Sequence, residues 1–338
     1  MEAVRGGRHE RGMIRITLST FSITYSHISP FLPPQEPSAL KTWLHTESLN
    51  SIDHHWRDPR FATAADSRVL VWDHARSSPI QSFSWGCDAI SCVRYNPAEH
   101  SLLASTGSDR AVTLFDTREG AAMRKAVMVM RSNALAWNPQ EPLNFTVASE
   151  DHNLYTFDMR KLAQAKLIHK DHVGAVMDLA FSPTGQEFVT GSYDRTVRIF
   201  NHREGRSREV YHTKRMQRVF CVNFSGDGRF VLTGSDDTNL RIWKAQASKA
   251  LGVKVPRAEK KIEYTEALKK RYQLMPEVRR IAKHRHVPKA IKKAQELVRV
   301  QQDSQRRKSQ NRRKHAKPDS DEFKFVPERK QRVVAEMA

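Results

Sequence analysis

The sequence has few of the residues that disulfide-rich or metal-binding proteins need. Its three cysteines, Cys87, Cys92 and Cys221, do not follow a metal-binding spacing. We therefore expect small buried hydrophobic side chains in a reducing compartment and no disulfide framework. No apolar run approaches the ~20 residues of a membrane-spanning helix, so a membrane is not expected as a partner.

Arrangements typical of catalysis are missing as well. The sequence shows no Ser/His/Asp arrangement of a catalytic triad, no glycine-rich loop for a nucleotide and no paired carboxylates. The segment Gly226-Asp-Gly228 is predicted to be only a turn between strands. Adjacent His54 and His55 would point to opposite faces of a strand and lack accompanying ligands, so a packing or hydrogen-bonding role is predicted. We expect no enzymatic activity, no cofactor or metal, and no small-molecule substrate.

A seven-residue pattern, by contrast, occurs five times. An aspartate is followed by two polar or small residues, an aliphatic residue, a variable residue, a strand-forming residue and an aromatic side chain. The copies are residues 66–72, 109–115, 151–157, 194–200 and 237–243. The closing aromatics Trp72, Phe115, Phe157, Phe200 and Trp243 lie 43, 42, 43 and 43 residues apart. This spacing falls within the roughly 40–45 residues of a four-stranded propeller blade.

Each copy is predicted to be a strand with one buried face, because aliphatic and variable residues alternate. The aspartate that opens each copy is predicted to close a tight turn by accepting backbone N–H groups; these residues are Asp66, Asp109, Asp151, Asp194 and Asp237. Further strands are expected upstream, at 102–105, 145–149, 188–192 and 230–235, and again at 90–97, 134–139, 175–183 and 219–228. The sequence thus predicts an all-β propeller with about five recognisable blades, and the constant period disfavours a generic β-sandwich.

The pattern resembles the WD repeat, although only Trp72-Asp73 spells the dipeptide. The Gly-His pair typical of such repeats is nearly absent, and Asp171-His172 is the nearest match. We therefore expect few internal His/Asp networks.

Four regions are predicted along the chain. Residues 1–47 are expected to be a divergent, disordered extension, with a transit peptide as the less favoured alternative. Residues 48–247 form the repeat region. Residues 248–317 form a basic helical domain, and residues 318–338 a disordered tail. Five blades either close a small ring or leave an open edge where about two blades are missing.

The positive charge is concentrated after the repeats. Residues 244–338 hold 28 Lys and Arg against 11 Asp and Glu, which is +17 of the formal +20. Helices are predicted at 258–274, at 277–284 and from Pro288 toward Arg313. The third helix has a face with three-and-four spacing, formed by Ile291, Ala294, Leu297, Val298 and Gln301. A polyanion is the expected partner of this region.

Three basic segments are candidates for contact with RNA or a ribonucleoprotein. In residues 206–217, Arg208, Lys214 and Arg215 surround a predicted outer strand, where phosphate binding and protection of a solvated edge are equally supported. Residues 279–289 carry Arg279, Arg280, Lys283, Arg285 and Lys289; the pair His284 and His286 is weak evidence for zinc. Two clusters farther on suit nuclear import or RNA backbone binding, namely Arg306, Arg307, Lys308, Arg312, Arg313 and Lys314.

Two segments of the repeat region, residues 102–118 and 145–160, resemble the box by which WD-repeat substrate receptors engage the damaged-DNA-binding adaptor of cullin-four ubiquitin ligases. The resemblance implies that Arg118 and Arg160 contact the adaptor and that Asp116 and Asp158 position them. Ordinary ion pairs within a blade are the alternative.

Several longer strings resemble the Sof-type WD-repeat family, the suppressors of fibrillarin defects, also called DDB- and CUL-associated factor thirteen. They are Ile-Asp-His-His-Trp at 52–56 and the segments 153–160, 207–217, 251–253 and 280–289. The resemblance covers roughly residues 50–317. It implies a propeller followed by a basic helical domain. Family members have further N-terminal blades that residues 1–45 do not match, so an alternative or truncated N-terminus is expected.

The resemblance also implies a cellular role. The family belongs to the U-three small nucleolar ribonucleoprotein and the small-subunit processome, which matures 18S ribosomal RNA in the nucleolus. We accordingly expect a non-enzymatic scaffold whose partners are pre-ribosomal RNA and small nucleolar ribonucleoprotein proteins, located in the nucleus and nucleolus. The alternative is a substrate receptor of a cullin-four ubiquitin ligase, and the two roles are compatible.

Overall fold

The computed structural model describes residues 13–17, 22–26, 41–45, 47–84, 88–249, 252–253, 255–315 and 325–337. The chain divides into two compact units. The first comprises Met1–Leu135 and Val334–Ala338, and the second comprises Ala136–Val333. Among the described residues, no helix combines the length and apolar character needed to span a membrane.

The first unit opens with a three-stranded antiparallel sheet, in the order β1 (Met13–Thr17), β2 (Ser22–Ser26) and β3 (Lys41–Leu44). A disordered extension is predicted from the sequence for residues 1–47, and this prediction is wrong for these strands. Ile14 and Ile16 of β1, and Ile23 and Tyr25 of β2, alternate with polar residues, which is the period-two pattern of a strand. Trp43 of β3 is buried and packs edge-on against Phe61, with ring centroids 5.1 Å apart.

Two further sheets of the first unit correspond to the first two repeats. Each is an antiparallel meander in chain order. The first sheet contains β4 (Leu49–His54), β5 (Arg60–Ala65), β6 (Val69–Asp73) and β7 (Gln81–Phe83). The second contains β8 (Ile90–Tyr95), β9 (Leu102–Gly107), β10 (Ala111–Asp116) and β11 (Ala121–Met128).

The second unit begins within β12 and contains the sheets of the last three repeats. The third sheet is formed by β12 (Ser132–Trp137), β13 (Asn144–Ser149), β14 (Leu154–Asp158) and β15 (Leu167–His169). The fourth sheet is formed by β16 (Val176–Phe181), β17 (Glu187–Ser192), β18 (Val197–Asn201) and β19 (Ser207–Tyr211). The fifth has three strands, β20 (Val219–Phe224), β21 (Phe230–Ser235) and β22 (Leu240–Lys244).

The recurring closing aromatics lie inside the sheets because each falls on the buried face of its strand. The first four are at most 1% exposed and the fifth is half-buried; they are Trp72, Phe115, Phe157, Phe200 and Trp243. Apolar residues of β17, β18 and β20 pack into one cluster of the second unit, which includes Val189, Ile199 and Val222. The predicted fold class, WD-repeat sheets followed by a helical region, is therefore confirmed.

The turn that opens each repeat strand has an unusual backbone. In four of the copies, the residue directly after the aspartate is not glycine and yet has a positive φ of 62° or 63°; these residues are Arg110, His152, Arg195 and Thr238. Few residues other than glycine adopt this conformation, so the turn needs additional hydrogen bonds.

The turn aspartates supply different bonds. Asp109, Asp151 and Asp194 each accept the backbone N–H two residues on, at 3.1, 3.1 and 2.9 Å. The Asp237 carboxylate instead accepts hydrogen bonds from the guanidinium of Arg241. Asp66 accepts a hydrogen bond from the hydroxyl of Ser48 at 2.5 Å.

Three helices follow the last sheet, and we call residues 256–315 the helical arm. Its helices are α1 (Pro256–Arg271), α2 (Pro276–Lys283) and α3 (Lys289–His315). Proline occupies the start of α1 and α2, where a missing N–H leaves no helical bond unmade. The helical arm thus has the three predicted helices, with ends shifted by one to three residues.

The part of the tail that the structure describes, residues 325–337, is also ordered. A short helix, α4 (Glu328–Gln331), precedes β23 (Val333–Met337), which lies beside β11 as the fifth strand of the second sheet. In the first unit, the Arg124 Nη1 and Glu336 Oε1 atoms are 3.7 Å apart. The prediction of a disordered tail is therefore wrong for these residues, because an unpaired sheet edge offers backbone groups to which β23 adds.

A buried histidine network is present in the fourth sheet. His172 Nδ1 lies 2.9 Å from Asp194 Oδ2, and His172 Nε2 lies 2.7 Å from Thr190 Oγ1. In the first sheet, His55 Nδ1 accepts the backbone N–H groups of Arg57 and Asp58 at 3.1 and 2.8 Å. The described residues contain no group of three or more side chains suited to hold a metal ion.

The prediction that the cysteines are small buried side chains holds in part. Cys92 is buried, whereas Cys221 is exposed, contrary to the prediction, because its side chain alternates away from the buried Val222 in β20. Cys87 lies outside the described residues.

Candidate nucleic-acid and adaptor interfaces

An aspartate and an arginine form a fixed pair at the end of β10 in the first unit. The Asp116 Oδ1 atom accepts the backbone N–H of Arg118 at 2.9 Å, and the two carboxylate oxygens face Arg118 Nε and Nη2 at 3.4 and 3.3 Å. Burial opposes ionisation of Asp116, but hydrogen bonds from Arg118 outweigh it and lower the pKa of the carboxyl. The Arg118 side chain is nevertheless 65% exposed. The pair therefore presents a guanidinium to solvent in a defined orientation.

The end of β14 in the second unit repeats this geometry. The Asp158 Oδ1 atom accepts the Arg160 backbone N–H at 3.0 Å, while Arg160 Nε and Nη2 lie 3.0 and 2.8 Å from the carboxylate oxygens. The hydrogen bond from the Arg160 side chain is the main cause of a lowered pKa for Asp158. The Arg160 side chain is 63% exposed. Both positions predicted to contact an adaptor are thus Asp–Arg pairs with an exposed guanidinium.

Arg208 in β19, a predicted RNA contact, is already engaged within the second unit. Its Nε lies 2.7 Å from Glu187 Oε1, its Nη1 2.5 Å from Glu209 Oε1, and its Nη2 donates to the Ala245 carbonyl at 2.6 Å. Since a phosphate would have to displace these partners, the prediction that Arg208 contacts RNA is replaced by a structural role. Lys214 and Arg215, which follow β19, are exposed.

The basic residues around α2 differ in what their side chains do. Arg279, Arg280 and Lys289 are exposed, while the side chain of Lys283 lies outside the described residues. Arg285 Nη1 donates to the carbonyls of Ala282 and His284 at 2.7 and 3.0 Å. Because carbonyls at a helix C-terminus lack helical partners, Arg285 caps α2 as well as adding charge.

The C-terminal half of α3 carries a set of exposed cations. Arg306, Lys308, Arg312 and Lys314 are exposed, and no carboxylate among the described residues lies within 4 Å of them. We call these four residues the arm quartet. Arg307 donates to the Asp303 carbonyl at 3.3 Å.

Arg313 is held in a different way. It donates to the Ser309 carbonyl at 3.2 Å and lies over the ring of Phe325, 5.1 Å from its centroid. It is the one member of the 306–308 and 312–314 clusters that is half-buried.

The N-terminal half of α3 lies beside the segment that precedes the fourth sheet, within the second unit. Ile291 is buried, and Gln295 Nε2 donates to the Asp171 carbonyl at 2.7 Å. Val298 is half-buried, whereas Leu297, predicted to share the packed face, is 65% exposed. The packed face therefore runs through residues 291, 295 and 298, and the helix presents its remaining surface to solvent.

Sequence reasoning missed two residues beside this packed face. Asp171 accepts from Arg206 Nη1 at 2.6 Å and from the Ser207 backbone at 2.7 Å, and Arg198 is buried in β18. The signal in the sequence was a charged residue between the two apolar residues Val197 and Ile199. The residues that surround Arg198, however, come from segments far apart in the chain.

Known families match the repeat region and the region after it separately. A WD domain, G-beta repeat, matches residues 38–73, 165–201 and 208–244. A Sof1-like domain matches residues 245–333, which contain the helical arm and α4. The cations of the arm quartet thus belong to the Sof1-like domain.

Similar proteins are found in animals and fungi. DDB1- and CUL4-associated factor 13 of Danio rerio is 49% identical over 286 residues, which cover 85% of this chain and 64% of that protein. Protein SOF1 of Saccharomyces cerevisiae is 44% identical over 299 residues, or 88% and 60% of the two chains. Protein sof1 of Schizosaccharomyces pombe is 49% identical over 303 residues, or 90% and 69%. The chain therefore spans about three-fifths to two-thirds of the length of these relatives, and it belongs to the Sof1 family of WD-repeat proteins.

Proposed function

We propose that this protein is a non-enzymatic scaffold of small-subunit ribosome biogenesis, active in the nucleus and nucleolus. In this proposal the WD-repeat sheets bind assembly proteins and the helical arm lies along pre-ribosomal RNA. The family resemblance supports the cellular role. The observation that carries the RNA contact is the arm quartet, four exposed cations without a neighbouring carboxylate among the described residues.

The arrangement suits the RNA backbone because exposed Lys and Arg side chains can each approach a phosphate and release a counterion. In the second unit, Gln295 holds α3 beside Asp171 and Ile291 is buried, while the cations of the arm quartet stay exposed. Such contacts give affinity without reading bases, since phosphates are the same at every nucleotide. We therefore propose that the helical arm tethers RNA whose identity is set by neighbouring proteins.

Charge neutralisation tests this contact. Replacing the arm quartet with glutamine should weaken binding of a single-stranded RNA on the order of tenfold or more at low salt. The slope of log affinity against log salt concentration should become shallower by up to about 3, at about 0.7 per lost phosphate contact. Fluorescence anisotropy over a salt series measures both quantities.

A matched control removes the same charge from the sheets. We call Arg118, Arg160, Arg203 and Arg229 the sheet quartet; each lies within 4 Å of a carboxylate, namely Asp116, Asp158, Glu141 and Asp227 respectively. Their replacement with glutamine should change the slope by less than about 1. Equal losses in the two variants would show that total charge, and not the arm surface, determines binding.

A second function is supported by the Asp116–Arg118 and Asp158–Arg160 pairs. Two of the relatives are named DDB1- and CUL4-associated factor 13, and this name states that they associate with DDB1 and CUL4. We propose that the two exposed guanidinium groups contact such an adaptor, each held in position by its aspartate.

Substitution of both arginines tests the adaptor contact. Arg118→Ala with Arg160→Ala should abolish co-purification of the DDB1 adaptor and leave RNA affinity within about twofold of the wild type. Arg203→Ala with Arg229→Ala is the matched control, because it also removes two exposed, paired arginines. Undiminished recovery of the adaptor with the first variant would refute the assignment.

A further inference from the structure

Arg198 is a buried cation whose guanidinium is incompletely bonded. It lies in the middle of the fourth sheet, opposite Thr190 of β17 and Val210 of β19, and is only 2% exposed. Its Nη1 donates to Ser207 Oγ at 3.2 Å. Its Nε and Nη2 atoms are buried and have no hydrogen-bond partner among the residues that the structure describes. The free edge is therefore the one with which arginine binds two oxygens of an anion side by side.

The nearby carboxylates do not satisfy this edge. Asp194 is bonded to His172 and Thr196, and Asp171 is bonded to Arg206 and Ser207. No carboxylate among the described residues lies within 4 Å of the Arg198 guanidinium. Burial lowers the pKa of Arg198, although both aspartates oppose the change. A buried arginine without an ion-pair partner is unfavourable, and an anion that reaches it would gain a partner already in place.

Arg198 is one of the residues that line a cavity of about 940 Å³. The cavity lies within the second unit, between the fourth sheet and the segment that joins α2 to α3. Five Lys or Arg side chains line it, against the two carboxylates of Asp171 and Glu204; the cations are Arg198, Arg206, Arg208, Arg285 and Lys292. His284 and His286 are also part of its wall. Arg206 and Arg208 are already paired with Asp171, Glu187 and Glu209. The lining cations without a carboxylate within 4 Å among the described residues are therefore Arg198, Arg285 and Lys292, of which Arg198 is buried.

We propose that this cavity is a binding site for a phosphate group. Arg198 Nε and Nη2 donate to two phosphate oxygens, and Lys292 at the wall supplies further positive charge. The fork of donors matches a tetrahedral oxyanion, and the three lining cations that have no carboxylate partner favour a dianion over a single carboxylate. The group belongs either to a small free phosphate compound or to the 5′-phosphate of an RNA. The site is separate from the arm quartet.

Pyrophosphate tests whether the cavity binds a phosphate group, whichever of the two sources supplies it. Isothermal titration of the full chain with pyrophosphate should show binding, and Arg198→Met should weaken it by about tenfold or more, because both free donors are lost. Lys292→Met, at an exposed position of α3, should weaken it by about threefold. Arg203→Met is the matched control, because Arg203 also lies in the second unit and its side chain is 78% exposed. The affinity of this variant for pyrophosphate should stay within about twofold of the wild type.

Comparison of two RNAs identifies the source of the phosphate. A 5′-phosphorylated oligoribonucleotide that binds more tightly than its 5′-hydroxyl form in the wild type, but not in Arg198→Met, supports an RNA end. Equal affinities of the two RNAs, with pyrophosphate still bound, support a free phosphate compound.

Three results would overturn the proposal: no binding of pyrophosphate to the wild type, binding of succinate as tight as that of pyrophosphate, or unchanged affinity in both Arg198→Met and Lys292→Met. Lys292→Met keeps the test valid should Arg198→Met fail to fold. The variant lacking the arm quartet should retain pyrophosphate binding, so failure of the RNA scaffold and failure of this site are distinguishable.

Discussion

Several arginines in and beside the sheets lie next to carboxylates, whereas several cations of the helical arm do not. In the second unit, the guanidinium groups of Arg160, Arg206 and Arg208 lie 2.8, 2.6 and 2.5 Å from their nearest carboxylate oxygens. In the same unit, no carboxylate among the described residues lies within 4 Å of the arm quartet. Formal charge is therefore a poor guide to binding, and the neighbours of each cation decide whether it can take a phosphate.

The difference follows from how the two regions are built. A sheet brings strands from distant parts of the sequence together, so that Glu187 of β17 reaches Arg208 of β19. On a helix, a residue meets side chains three or four positions away. In α3, those neighbours of the arm quartet are mostly polar or basic, with Asp303 as the single acid after Glu296. Paired arginines such as Arg208 therefore have a structural role, whereas the cations of the arm quartet remain available for binding.

The largest expected effect on stability comes from removing a sheet aromatic. Phe188 is fully buried, with its ring stacked on Phe200 at a centroid distance of 5.4 Å. Phe188→Ala should reduce the free energy of unfolding by about 3–5 kcal/mol. Leu297→Ala, on the exposed surface of α3, should change it by less than about 1 kcal/mol. Urea unfolding of the full chain measures both values. Similar losses would show that α3 contributes as much buried surface as the sheets.

The engaged Arg208 provides a sharper comparison with the free Arg306. Arg208→Ala leaves Glu187 and Glu209 without their partner in a half-buried site, so the free energy of unfolding should fall by about 1–3 kcal/mol. Arg306→Ala should change it by no more than about 0.5 kcal/mol. RNA affinity should show the opposite order, with a loss only for Arg306→Ala. A loss of RNA affinity with Arg208→Ala at unchanged stability would contradict the structural role.

A smaller effect should appear as a dependence of stability on pH. His169 is fully buried between Thr156 Oγ1 and the Glu204 carbonyl, and burial lowers the pKa of its ring from 6.5 to about 4. Above pH 6.5 the ring is neutral in both states. As the pH falls from 6.5 to 4, only the unfolded state gains this proton, and the free energy of unfolding declines by at most ~1.4 kcal/mol per pH unit.

Unfolding measured between pH 7 and pH 4 tests this assignment. His169→Gln should decline less steeply than the wild type because the group that titrates in the unfolded state is gone. His315→Gln, which replaces an exposed histidine of α3, should follow the wild type. Identical pH profiles for the wild type and His169→Gln would contradict a buried neutral His169.

Much of the fold could be predicted because the repeats and helix boundaries are local signals. The closing aromatics from Trp72 to Trp243 locate one strand in each sheet, and Pro276 and Pro288 separate the three helices. The strands of residues 13–26 and β23 were missed. Both have short alternating patterns, but the prolines nearby and the overall charge favoured disorder, and pairing depends on a partner that the pattern does not show.

The candidate sites could be predicted less well. The Asp116–Arg118 and Asp158–Arg160 pairs are two residues apart in the chain, so local sequence shows them. Arg208 and Arg198, in contrast, have surroundings assembled from β17, β19 and the segment after α2. No sequence pattern reveals that one is neutralised by glutamates and the other has unused donors.

Crosslinking of RNA to the full chain tests the central claim most directly. Ultraviolet crosslinking to a 5′-hydroxyl single-stranded RNA, followed by mass spectrometry of the crosslinked peptides, locates the contact without any substitution. The proposal predicts crosslinks concentrated in residues 276–315, which disappear as salt is raised and are depleted when the arm quartet is replaced with glutamine. Crosslinks confined to the WD-repeat sheets, and unaffected by that replacement, would contradict it.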